Sequence, residues 1–399
     1  MTSLISYILA CMDSTLRFHR VAVLVMAAIA SMAQAQDGGV KNLGPDSDSA
    51  KIELDRAVPA GTFYLYRQKL VAVKPGLWPR LQHPFSQVHF ICSSGTDPSN
   101  GACRTSTGGS SGTTPIRLRF TERRSLLSVE LVATAYIQRL FYGFDCPNWG
   151  SIYYREMQMT STNTQNCGAG TNNGTVLTAT ISESELAKIP TGGVWTAKLL
   201  LLAKGYSSDG NRYPWTNDIT IRVTDKNNIE AYLPQFGNAA PLVDLNLRTQ
   251  PLGTAGSRMA GTTQLDLCLY DGFNSNSKMF ELRVFDDKSK AFAGRSKKEF
   301  SVLHTQAGGA TDAGNRIDYT VSLNYNGQRM ELNNDETLLL PGVDTAQIRA
   351  MRVPNVPIPV VCSPTPMTLT TPAFNTLDKR AGRYEGKLSI VFTPSLLAP

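Results

Sequence analysis

Gly382-Arg383-Tyr384-Glu385-Gly386-Lys387-Leu388-Ser389-Ile390-Val391-Phe392-Thr393 alternates in polarity along its length. Tyr384, Gly386, Leu388, Ile390 and Phe392 fall on one face, while Glu385, Lys387 and Ser389 take the other. A period of two belongs to an extended strand buried on one side. The chain ends shortly beyond it, so this strand is expected to be the last of its sheet. Such a strand closes a complete sandwich as readily as an incomplete one.

The same signature recurs upstream. Lys51–Leu54, Phe63–Tyr66, Ile116–Phe120, Leu127–Tyr136, Thr175–Ile181, Val194–Ala203 and Ile219–Val223 are alternating or β-branched runs bounded by Gly, Asn, Asp and Pro. Leu242–Leu247, Gln264–Tyr270, Phe280–Phe285 and Asp318–Tyr325 follow. Many short strands at such spacing predict an all-β protein built of antiparallel sandwiches. Asn326-Gly327, between Tyr319–Tyr325 and Arg329–Leu332, predicts a hairpin, because a type I′ turn needs positive φ at both central residues. Helical spacing is confined to Ser182–Lys188, about two turns.

Arg17 and Arg20 precede the apolar run Val21–Ala30 and the tripeptide Ala33-Gln34-Ala35. That order predicts a secretory signal peptide over residues 1–35, cleaved before Gln36, with Met12 an equally serviceable start. A membrane anchor needs roughly twenty apolar residues, more than this run supplies. The remainder exceeds one sandwich domain, and the polar link Thr224–Asn228 divides it into residues 36–225 and 226–399. Asp37–Ala50 is rich in Gly, Asp and Ser and reads as a mobile tail, with Asp46-Ser47-Asp48 too incomplete for a calcium loop.

The net charge of +7 points, for an exported chain, to anionic surfaces such as sialylated or sulfated glycans, and not to nucleic acid. Past the leader, Cys92, Cys103, Cys146, Cys167, Cys268 and Cys362 make an even set suited to disulfides in an oxidising compartment. Fifteen pairings are open to six cysteines. Division between the two halves favours Cys92–Cys103, Cys146–Cys167 and Cys268–Cys362. The first of these ties down the polar stretch Gly95–Gly112. A zinc site lacks C-x-x-C spacing, with His83, His89 and His304 scattered.

No nucleophile, acid–base pair or cofactor motif stands out, so neither catalytic residues nor cofactors are assigned. Asp286-Asp287 and Asn333-Asn334-Asp335 read as surface turns. Asn173-Gly174-Thr175 matches a glycosylation pattern but reads as a turn. Exposed arginine beside aromatic rings would suit a glycan, since a guanidinium forks onto carboxylate or sulfate and a ring stacks on sugar. Candidates are Trp78-Pro79-Arg80, Arg123-Arg124, Trp149 with Tyr153, Tyr154 and Arg155, and Arg212-Tyr213-Pro214-Trp215. Arg80 and Arg212 are favoured, whereas Trp149 and Trp195 read as core.

Asp266-Leu267-Cys268-Leu269-Tyr270-Asp271-Gly272, Val360-Val361-Cys362 and Gly382–Gly386 running to Phe392-Thr393-Pro394 resemble the CblD-like initiator and tip-adhesin family of class 5 (alternate chaperone–usher) fimbriae. The likeness extends over the exported chain, most clearly from Val194 onward. It implies two immunoglobulin-like sandwiches, an N-terminal adhesin domain and a C-terminal pilin domain missing its final strand. A periplasmic chaperone would cover the gap, the outer-membrane usher would export the protein, and the N-terminal extension of the major pilin would replace the chaperone strand. Tyr384, Leu388, Ile390 and Phe392 are the expected edge and groove. Gln36–Ala50 is too polar to donate a strand in turn, which implies a place at the fimbrial tip. The implied receptor is a host cell-surface glycan or glycoprotein, bound through arginines of the first domain. The reading from another class is a secreted carbohydrate-binding or hydrolytic β-sandwich protein. Neighbouring chaperone, usher and major pilin genes separate the two.

Overall fold

A computed structural model describes residues 40–73, 85, 87–141, 152–153, 155–164, 166–167, 170–171, 174–205, 210–236, 241–250, 257–287, 292–352, 356 and 358–395. The expected leader, Arg80, Cys146 and Trp149 lie outside them. The described residues are dominated by strands, in two bodies with separate cores. The α-helix is a single turn, Glu183–Leu186, capped where the Ser182 hydroxyl accepts the Glu185 N–H. Its brevity follows from burial: of its residues only Leu186 is buried, so no apolar face supports a second turn.

The first body is one long sheet. In order it runs Asp46–Asp55, Tyr213–Thr224, Gly193–Lys204, Thr114–Glu122, Ser128–Phe141, Gly174–Ile181 and Phe63–Val73. Ile116, Leu118 and Phe120 are buried while Arg117 and Arg119 between them are exposed, the alternation that puts one face in the core. Each such side chain contributes roughly 1.5–3 kcal/mol by leaving water. Trp195 and Trp215 are among the largest fully buried side chains, and Phe90 meets Trp215 edge-on with centroids 5.2 Å apart. The sheet nearly closes: Lys41 exchanges backbone hydrogen bonds with Val73 at 2.8 and 2.9 Å.

Two readings of this half are corrected. Asp46–Ala50 is not tail but the first half of a strand paired in parallel with Tyr213–Thr224, Ala50 opposite Ile219. Its polarity is accommodated because Lys69 binds the carboxylates of Asp46 and Asp48, which also occupies the atoms a calcium loop would use. Arg212-Tyr213-Pro214-Trp215 is not an exposed unit, since Trp215 belongs to the core.

The second body stacks two sets of strands around Phe280, Leu282, Val284, Tyr319, Val321 and Leu323. Asn326 and Gly327 have φ of 49° and 81° and join Arg316–Tyr325 to Gln328–Glu331 as a hairpin. Disulfides join Cys92 to Cys103 and Cys268 to Cys362; the second spans 94 residues, a loop length worth roughly 4–5 kcal/mol in chain-entropy accounts. Leu242–Leu247 does not form a strand as a whole. Asp244 Oδ1 accepts the Asn246 N–H at 2.8 Å and Asn246 has φ 51°, a local turn that delays the strand to Leu247–Gln250. Gln264–Tyr270 is broken at Asp266, held by Arg349 at 2.9 Å, and its halves enter different sheets. Asp286 is no surface turn: it is buried, bound to Arg295, and accepts from Ser301 N and Asn334 Nδ2 at 2.9 and 2.8 Å.

Candidate functional site: the C-terminal edge and the contact between the two bodies

The C-terminal stretch is two strands and not one. Tyr384–Glu385 pairs with Leu303–His304, and Ser389–Pro394 pairs with Met279–Phe285 in another sheet. Gly386 sits at the crossing, where a side-chain carbon would stand 3.0 Å from the Ser301 carbonyl oxygen. Tyr384 is thereby separated from the other three groove candidates. Its hydroxyl donates to the Arg380 carbonyl at 2.7 Å and its ring meets His304 edge-on.

Leu388, Ile390 and Phe392 pack half-buried against the second core, with Phe392 edge-on to Phe280 at 4.8 Å. Ser389–Pro394 pairs only with Met279–Phe285, leaving its other side without a strand among the described residues. An edge of this kind carries a row of unpaired N–H and C=O groups beside apolar side chains that are not fully covered. Chemically it can accept an extended segment by main-chain pairing, with alternate side chains filling the core.

The two bodies meet through a run that the sequence pattern does not flag. Asp271-Gly272-Phe273-Asn274-Ser275-Asn276-Ser277 is buried throughout. Asp271 accepts from the N–H groups of Phe273, Ser275 and Ser277 and from the Ser277 hydroxyl. Burial pushes its carboxyl above the ordinary range, and those four donors oppose the rise. The turn so fixed reaches across. Asn274 donates to Thr191 Oγ1 and the Gly192 carbonyl at 3.0 and 2.9 Å, and Asn276 donates to Glu122 Oε1 at 2.8 Å. Backbone touches backbone at two glycines: a Cβ on Gly192 would lie 1.9 Å from the Gly272 carbonyl oxygen, and one on Gly272 2.2 Å from that of Asp225.

Arg123 and Arg124 belong to this contact and not to a receptor surface. Arg123 Nε donates to Asn276 Oδ1 at 3.0 Å, and Arg124 Nη2 donates to the carbonyls of Val343 and Ala346 at 3.2 and 2.6 Å. Arg212 is exposed and makes no hydrogen bond or ion pair among the described residues. Arg80 is outside them, so the two favoured arginines are not brought together here.

Arg139, missed in the sequence, takes an inward position of Ser128–Phe141 and is fully buried. It donates to the carbonyls of Val88, Ser161 and Asn163 and to Thr175 Oγ1 at 2.6–3.2 Å. Desolvation pushes its guanidinium pKa down to about 9. The sequence signal, a lone charge at an inward position of an alternating strand, is visible in Ile137-Gln138-Arg139-Leu140. Arg139→Met, close in volume, is expected to cost about 3 kcal/mol by stranding buried carbonyls, read as a lowered denaturation midpoint. A midpoint unchanged by Arg139→Met would show that those carbonyls find other partners.

Comparison with known proteins follows the same division. Residues 35–226 match the sequence family described as the first domain of the CFA/I fimbrial protein CfaE, and residues 229–396 match its second domain. The CFA/I fimbrial protein of that family from Escherichia coli is 34% identical over 325 residues, covering 78% of this chain and 82% of the relative. The crystal structure of CfaE, the adhesive subunit of CFA/I fimbria of enterotoxigenic Escherichia coli, superposes with a TM-score of 0.73 at 30% identity, covering 90% of this chain and 94% of that one. A chaperone–tip adhesin complex of CFA/I fimbriae biogenesis aligns with a TM-score of 0.60 at 30% identity, over 90% and 98% of the two chains.

Proposed function

The chain belongs to the CfaE family of CFA/I fimbrial proteins across both of its domains, and from that premise we propose that it is the tip component of a fimbria, accepting a donated strand at Ser389–Pro394 and binding a host receptor through its first domain. The single observation that carries the reading is the unpaired edge of the C-terminal strand beside half-buried Leu388, Ile390 and Phe392. A chaperone strand would cover that edge in the periplasm, and the N-terminal segment of the major pilin would replace it at the usher. The first strand supports the tip position: Asp46–Asp55 is engaged along Tyr213–Thr224 and is polar, so it is not spare for donation to a neighbour. Residues 36–225 then act as the adhesin domain and 226–399 as the pilin domain. Arg80 and Arg212 remain the proposed receptor contacts, the latter supported by its exposed, unpaired guanidinium.

Co-export with the chaperone of the same fimbrial system tests the assembly half. Soluble periplasmic yield is expected to rise roughly tenfold or more, since an open apolar edge aggregates. Equal yield without the chaperone would mean that the edge needs no cover.

A further inference from the structure

The polar loop after Cys92 builds a cleft of about 480 Å³ whose lining differs from that of its neighbours. Arg104, Thr113, Arg117, Gln158 and Thr160 line it, and no carboxylate side chain does. An adjoining cleft that contains Arg119 and Lys198 also contains Asp218. The cleft is preformed. Cys92–Cys103 pins the loop, and Ala102 and Arg117 exchange backbone hydrogen bonds at 2.8 and 3.0 Å. The loop is then strapped to the floor, where Gly108 N donates to the Thr160 carbonyl at 3.0 Å and Thr160 Oγ1 donates to the Gly108 carbonyl at 2.6 Å. Gly108 has φ 144°, and the Arg104 guanidinium lies where its Cβ would be, 2.4 Å from Nη2. Only Nε of that guanidinium is used among the described residues, donating to Ser106 Oγ at 3.3 Å. Arg117 is held by the Gly95 and Thr96 carbonyls at 3.4 and 3.2 Å. Glu130, which does not line the cleft, stands 3.7 Å from Arg117 Nη1 with both side chains 46% exposed, a separation and exposure at which pairing is weak.

We propose that this cleft is a subsite for an anionic saccharide, a sugar bearing a carboxylate or a sulfate. Two guanidinium groups supply planar forks for the anion, and the Gln158 amide and the Thr113 hydroxyl supply partners for ring hydroxyls. The proposal rests on the adhesin reading for its role, but its chemistry can be tested apart from attachment.

The test titrates the full exported chain with 3′-sialyllactose, lactose 3′-sulfate and lactose. Both anionic sugars, or one of them, are expected to bind at least about tenfold more tightly than lactose, with affinity falling as salt rises. Which one binds distinguishes a carboxylate subsite from a sulfate subsite. Arg104→Gln and Arg117→Gln are each expected to lower that affinity about fivefold or more at an unchanged thermal midpoint, and Thr113→Glu to do the same by repulsion. Anionic sugars that bind no better than lactose, or binding that survives Arg104→Gln with Arg117→Gln, would overturn the subsite. Cell attachment scored in parallel separates the two readings. Attachment without anionic-sugar binding leaves the adhesin standing and removes the subsite; binding lost in the variants without any attachment by the wild type does the reverse.

Discussion

Gly192→Ala is expected to part the two bodies. Gly192 needs no unusual backbone angle; what it supplies is space, because a Cβ there would stand 1.9 Å from the Gly272 carbonyl oxygen. Backbone cannot yield as a flexible side chain does, so the overlap must be relieved by moving one body against the other. Movement would break the Asn274 bonds to Thr191 and Gly192 and the Asn276 bond to Glu122, stranding buried polar atoms. A loss of about 3 kcal/mol or more in unfolding free energy, with an increased radius of gyration in solution scattering, is the expected result. Gly210→Ala is the control. Its φ is left-handed, at 68°, but nothing lies within 4 Å, so only the backbone penalty of roughly 1–2 kcal/mol applies and the shape is unchanged. Equal scattering profiles for Gly192→Ala and the wild type would show that the close approach is not what joins the bodies.

Fusing the major pilin's N-terminal segment behind Pro399 is expected to raise the thermal midpoint by roughly 8–16 °C. The figure follows from about 4 kcal/mol of linkage at a local concentration some thousandfold above the dissociation constant, with a few degrees per kcal/mol for a body of this size. The gain should depend on the apolar face of the acceptor. Phe392→Asp puts a charge against Phe280, whose ring lies 4.8 Å away, and is expected to abolish it. A fused segment that leaves the midpoint unmoved would indicate that the edge of Ser389–Pro394 is not an acceptor.

Much of the fold was legible because strand burial writes itself in period two. Ile116-Arg117-Leu118-Arg119-Phe120 and Asn326-Gly327 needed no tertiary information: one alternates and the other must turn. What the pattern could not carry were contacts made by backbone and by polar atoms. Asp46–Ala50 looks like tail because its strand is held by main-chain pairing and by Lys69, neither of which leaves an apolar stripe. Asp271–Ser277 looks like a surface turn because polar residues usually seek water, yet here their partners belong to the other body. The continuous C-terminal alternation hid a change of sheet, since Gly386 satisfies the period while serving as the crossing point. At the candidate site, the acceptor residues Leu388, Ile390 and Phe392 were readable as one face. Arg123 and Arg124 were not readable as interface, because an arginine pair has the same sequence appearance on any surface.

Amide hydrogen exchange over Ser389–Thr393 tests the acceptor edge most directly. In the unfused chain, the N–H groups of this strand that do not pair with Met279–Phe285 should exchange quickly, while those that do are protected. With the pilin segment fused behind Pro399, or the chaperone bound, the fast set should slow by about a hundredfold or more as each N–H gains a partner. A fast set that stays fast in the fused chain, despite intact folding of the Phe280–Phe285 core, would contradict the account.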